Sequence, residues 1–171
     1  DAGLGGRLGF KGSDGRAAEA RAAGAEDRSG PRMRQTLHRC QNRLMEIEIL
    51  TCSNRMGSDW IPMEHTVVFE TPEQTFAETT REAVATLCEA GIELLLYAGG
   101  DGTTRDIIEA LPNSELPVIG VPGGVKMHSG CFAASPNAAA EVLIAWLEGD
   151  LLLARTEVMD LDEEVYREGR W

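Results

Sequence analysis

Met33, Leu37, Cys40 and Leu44 are spaced four, three and four apart, which predicts an amphipathic helix with Pro31 at its first position. "MEIEILTC" (45–52) alternates and predicts a strand, "HTVVFE" (65–70) a second, shorter one, and "SNRMGSDWIPM" between them reads as loop. A helix should then open on Thr71 as cap and Pro72 at the first position, with Gln74 completing a capping box. Phe76, Thr80, Val84, Leu87 and Cys88 would form its apolar face, and Gly91 would end it. "IELLLYA" and "LPVIGV" are nearly continuous apolar runs, as in buried strands, and bracket a helix expected from about Thr103 to Leu111, stopped by Pro112. Ser135 and Pro136 open a last helix, with Val142, Leu143, Trp146 and Leu147 inward and Gly149 as its stop. Strand and helix alternate, which means parallel pairing through right-handed crossovers. The fold class predicted is α/β, a doubly wound and mostly parallel sheet with helices on both faces.

Length, composition and charge narrow this picture. With 171 residues, 43% hydrophobic and 26% charged, the chain suits one globular domain. No apolar run approaches the ~20 residues of a bilayer span. The chain opens on "DAGLGGRLGF", without a Met or a basic-then-apolar leader, so a missing N-terminal part is expected, and a cytoplasmic location. "LLLARTEVMDLDEEVYREGRW" resembles the strand and turn that leave such a domain, so truncation is expected there too. The division expected is 1–155 for the α/β domain and 156–171 for the start of a connection. Cys40, Cys52, Cys88 and Cys131 are widely spaced, form no CxxC pair and read as reduced core thiols. The formal charge of −12 argues against non-specific binding to nucleic acid. Residues 1–45, however, carry nine Lys/Arg against five Asp/Glu, while 46–171 carry seven against 23. A basic lobe on an acidic protein fits a small polyanion better than DNA.

The chemistry concentrates where "LLLYAGGDGTTRDII" (94–108) runs from an apolar strand into glycines and at once into a helix. Ligands of an open parallel sheet bind beyond the carboxyl ends of its strands, and this loop lies at one such end. "GGVKMHSG" (123–130) lies at another. Gly99 and Gly100 permit close backbone approach, and the following helix offers unpaired N–H groups to phosphate oxygens. Asp101 is the anomaly, because a carboxylate repels phosphate unless a metal ion intervenes or the carboxylate is needed as a base. The alternative is a turn followed by an ordinary helix cap. "AGLGGRLG" is not a strict GxGxxG and no GxxxxGK[ST] is present, so neither an ordinary dinucleotide-binding nor a P-loop site is indicated.

"AGGDGTTRDI" resembles the GGDGT signature of the NAD kinase and diacylglycerol kinase superfamily. "AGLGGRLGFKGSDG", "VPGGVKMHSGCFAASPNAAAEVL" and "EVMDLDEEVYREGR" resemble, in the same order, the ATP-NAD kinase-like family often labelled AcoX-type. The resemblance covers nearly the whole chain and is weakest from about residue 25 to 70. It implies transfer of a terminal phosphoryl group from ATP, or polyphosphate, to the 2′-hydroxyl of NAD, usually with Mg²⁺. It assigns Asp101 to activating or orienting that hydroxyl, and Gly99, Gly100, Gly102 and Thr103 to cradling phosphate or ribose. Gly5, Gly6, Gly123 and Gly124 would share in the cradle, and Lys11 and Lys126 would steady phosphate unless they are simply solvated. Asp14 is expected to be a turn residue, His128 a structural hydrogen-bonder, Asp106 a first-turn complement to the helix dipole, and Asp160 with Asp162 a solvated pair.

Family members begin with a strand and an "NP" pair and continue into a β-rich domain, both absent here. The partners expected are small nucleotides, neither nucleic acid nor membrane, with homo-oligomerisation of the full-length protein. Two other functions stay open, a non-catalytic nucleotide-binding module and a kinase for a lipid or other small alcohol.

Overall fold

The computed structural model describes residues 28–112, 115–124, 127–151, 154 and 156. Its elements, in order, are α1 (Ser29–Arg39), β1 (Leu50–Cys52), β2 (Thr66–Phe69), α2 (Ala77–Glu89), β3 (Leu95–Gly99), α3 (Asp101–Ala110), β4 (Val118–Pro122) and α4 (Pro136–Leu147). Short 3-10 turns follow α1 and β1. β1 pairs in parallel with β2, and β3 with β4 from Leu95 opposite Val118 to Gly99 opposite Pro122. The protein is therefore an α/β domain of parallel strands joined through helices. Among the described residues the strands form two pairs rather than one continuous sheet. A cavity of about 780 Å³ touches both Leu50–Cys52 and Leu94–Ala98.

The alternation of β3 assigns a helix layer to each face. Leu95 and Tyr97 join Cys52, Ala83, Val84, Leu87 and Ile107, so α2 and α3 cover one side. Leu94, Leu96 and Ala98 pack instead with Ile119, Val121, Leu37, Cys40, Ala139 and Leu143, beneath α1 and α4. Nearly continuous apolar strands were predicted for this reason: both faces are buried.

Several boundaries differ from the sequence expectation. β1 spans only Leu50–Cys52, because Met45 and Ile47 of the alternating run are 82% and 41% exposed. α1 begins at Ser29, which puts Pro31 at the third helical position, where an absent N–H costs no intrahelical bond. α2 begins at Ala77, not Pro72, because Thr71 is engaged elsewhere. Its N–H donates to Ser53 Oγ at 2.7 Å and its hydroxyl to the Ser53 carbonyl at 2.9 Å, joining the ends of β1 and β2. The Thr79 hydroxyl takes the Phe76 N–H at 3.1 Å instead, and Phe76 is 51% exposed rather than inward. Gly91, at φ +83°, ends the helix as expected. In α4 Ser135 does cap, accepting the Ala138 N–H at 3.0 Å, but Val142 points outward while Ala139 and Ala140 are fully buried. All four cysteines are free; Cys40 and Cys52 are buried, Cys88 and Cys131 only half-buried.

Candidate functional site

β3 and β4 end side by side, so the two glycine-rich segments meet at one rim. The Gly123 N–H donates to the Gly99 carbonyl at 2.8 Å. Gly99 is required by packing, since a Cβ there would lie 2.8 Å from the Thr103 side chain. Gly100 is the N-cap of α3, and its carbonyl accepts the Thr104 N–H and hydroxyl, each at 3.0 Å. Gly102 is different, because a Cβ there would meet nothing within 4 Å. Neither fold nor packing calls for glycine at that exposed position.

α3 starts at Asp101, two residues earlier than expected, so the carboxylate belongs to the first residue of the helix. It does not cap that helix. Oδ1 accepts the Ser129 N–H at 2.7 Å and the Ser129 hydroxyl at 2.6 Å, while the His128 N–H reaches Oδ2 at 2.9 Å and Oδ1 at 3.1 Å. The turn-plus-cap alternative therefore fails on geometry: the side chain crosses the rim and binds the opposite segment. His128 contributes its backbone to this contact, not its imidazole.

Beneath the rim lies a chain of hydroxyl and thiol groups. The Tyr97 hydroxyl meets the Thr104 hydroxyl and lies 3.2 Å from Cys131 Sγ. The Thr104 proton is directed at the Gly100 carbonyl, so Tyr97 donates to Thr104. Burial pushes the Tyr97 phenol well above its ordinary value, which keeps it a donor at every physiological pH. Arg32 reaches the same rim from α1, Nη1 donating to the Pro122 carbonyl at 2.7 Å and more weakly to Gly124 at 3.5 Å.

The structure thus brings together Gly99, Gly100, Asp101, Gly102, Thr103, Gly123 and Gly124. Gly5, Gly6, Lys11, Asp14, Lys126, Asp160 and Asp162 lie outside the described residues. Asp106 is corrected: it sits a turn into α3, 3% exposed, and accepts from Arg81 Nη2 of α2 at 3.1 Å, so it is a buried ion-pair partner. Sequence reasoning missed Ser129 and Arg32. The only available signals were a hydroxyl within the second glycine-rich loop and a cation one turn into the helix that Pro31 announces.

Among the described residues no group of three or more His, Cys, Asp or Glu is placed to hold a metal ion, and Asp101 Oδ1 is filled by donors. The described side chains therefore do not form a metal cage. No helix among the described residues is long and apolar enough to cross a membrane.

A parallel α/β domain with two glycine-rich turns meeting beyond its strand ends, one of them opening a helix, is of the class that takes anionic ligands in that crevice. Residues 26–151 match the model of the ATP-NAD kinase N-terminal domain, and the chain belongs to that family. No curated protein and no solved structure matches it.

Proposed function

We propose that the chain is an NAD kinase-like phosphotransferase, moving the terminal phosphoryl group of ATP or polyphosphate to the 2′-hydroxyl of the adenosine ribose of NAD. The observation that carries this is the placement of Asp101. Its carboxylate is held at the rim between two glycine-rich loops by donors from the far side, and Oδ2 takes only one of them. A carboxylate oxygen has room for about two donors, so Oδ2 retains a position for an incoming hydroxyl. The first turn of α3 supplies N–H groups for phosphate, and the open space at Gly102 allows a ligand to approach the backbone.

In this mechanism Oδ2 of Asp101 takes the proton of the acceptor hydroxyl as its oxygen bonds to the transferred phosphorus. The bond from that phosphorus to the donor's bridging oxygen breaks, and the donor leaves with the electron pair. Positioning and charge neutralisation carry the rate, since phosphoryl transfer asks little covalent chemistry of the protein. Any Mg²⁺ would be held mainly by donor phosphate oxygens and water, its habitual ligands.

The test offers the full-length protein ATP labelled in its terminal phosphate, and in a second arm polyphosphate, with NAD, NADH and diacylglycerol in parallel. Label in NADP is the expected outcome. Label in lipid alone, or nucleotide binding with no labelled product, overturns the proposal.

A further inference from the structure

Building on the phosphotransfer role proposed for Asp101, we infer that Ser129 is the positioning residue that aims its carboxylate. Asp101 stands at the start of α3 with no bond to that helix's own free N–H groups, so nothing on its own element fixes its rotamer. Orientation comes instead from across the rim. Ser129 is 4% exposed and donates twice to the same oxygen, through its N–H at 2.7 Å and its hydroxyl at 2.6 Å. The His128 N–H spans both oxygens, closest to Oδ2 at 2.9 Å.

These contacts are unequal, and the inequality is the point. Oδ1 is saturated by Ser129, whereas Oδ2 retains acceptor capacity. The two oxygens are thereby assigned different tasks: Oδ1 is the anchor, and Oδ2 takes the acceptor hydroxyl. Hydrogen bonds to a charged group are short and directional, so the pair of Ser129 donors defines the carboxylate plane as well as its place. The backbone N–H survives any side-chain substitution; the hydroxyl does not. Without the hydroxyl, Oδ1 keeps only the backbone N–H groups of Ser129 and His128, loses its shortest bond, and the carboxylate can turn so that either oxygen, or neither, meets the substrate. Errors in placement of about 1 Å are enough to cost ~10²-fold in rate.

Ser129 touches neither substrate nor reacting atoms, so its removal should act on turnover and not on nucleotide capture. The experiment is a double-mutant cycle in the full-length protein, with kcat and the KM for NAD measured for wild type, Ser129→Ala, Asp101→Asn and the double variant. Ser129→Cys, nearly isosteric and a weak donor, keeps the measurement standing if the alanine variant unfolds. Ser129→Ala, or the cysteine variant, is expected to lower kcat by about 10- to 100-fold with KM changed less than about threefold. In the Asp101→Asn background the same change should cost almost nothing further, as for residues acting as one unit. If kcat is unaffected by loss of the hydroxyl, or if the two losses multiply, Ser129 does not act through Asp101 and the inference falls while the role of Asp101 survives. If Asp101→Asn alone leaves turnover intact, both fall together.

Discussion

A single carboxylate at the first position of a helix would ordinarily satisfy that helix; Asp101 satisfies another segment instead. Asp101→Asn preserves the shape of the rim but replaces one accepting oxygen with a donor that faces the donors on His128 and Ser129. In the full-length protein it should lower kcat by roughly 10² to 10⁴ while largely keeping nucleotide affinity, the range for a lost general base. Steady-state kinetics alongside equilibrium binding of NAD would check it, and unchanged turnover would leave the side chain a loop tie only. Tyr97→Phe probes the layer below. It removes the hydroxyl that donates to Thr104 and faces Cys131, and urea unfolding should show a loss of about 1 to 3 kcal/mol, the penalty for unpaired buried groups. Asp101 was legible because glycines on both sides of an acid, just after an apolar strand, are locally unusual. Ser129 and Arg32 were not, since their contacts lie 28 and 90 residues away in sequence and leave no local pattern.

Between β3 and α3 the glycines divide into one the fold needs and one it does not. At Gly99 a Cβ would collide with Thr103, so Gly99→Ala should destabilise by about 1 to 3 kcal/mol, as overpacking does. At Gly102 a Cβ meets nothing, and an alanine in a helix is favoured over glycine by up to about 1 kcal/mol. Gly102→Ala should therefore raise the melting temperature slightly while weakening nucleotide binding. A rise in Tm with unchanged affinity would show that no ligand approaches there. The existence of the helices and strands was readable from their periodicity, and α4 even from its cap. The start of α2 was not, because Thr71, Pro72 and Gln74 carry a locally valid capping signature. Thr71 is drawn instead to Ser53, a partner that only tertiary structure reveals.

At the scale of the molecule, two helix layers enclose β3 and β4, packed on both sides, and alternating β-α order in the sequence was enough to read that class. The division into two strand pairs was not readable, since periodicity says nothing of which strands meet. Burial also leaves a titration signature. Desolvation pushes the Cys52 thiol from 9.0 to about 11. The folded protein thus holds this proton where the unfolded chain has lost it, so the associated stability is complete below about pH 9 and declines as pH rises toward 11. Denaturant midpoints should fall across that window, and Cys52→Ala should flatten the decline. An equally steep fall in the variant would place the cause elsewhere.

The open flank between β1 and β3 has one more consequence. Bonds from Thr66 to Ile49 and from Ser53 to Phe69 point the odd-numbered residues of the first strand at its partner, and those from Leu95 to Pro117 and Gly123 to Gly99 do the same in the third. The N–H groups of Leu50, Cys52, Leu96 and Ala98 are thereby turned toward the hollow, in a comb of alternating protection. In deuterated buffer those four should exchange well ahead of Thr51, Ser53, Leu95 and Tyr97, even Cys52, whose side chain is buried as deeply as theirs.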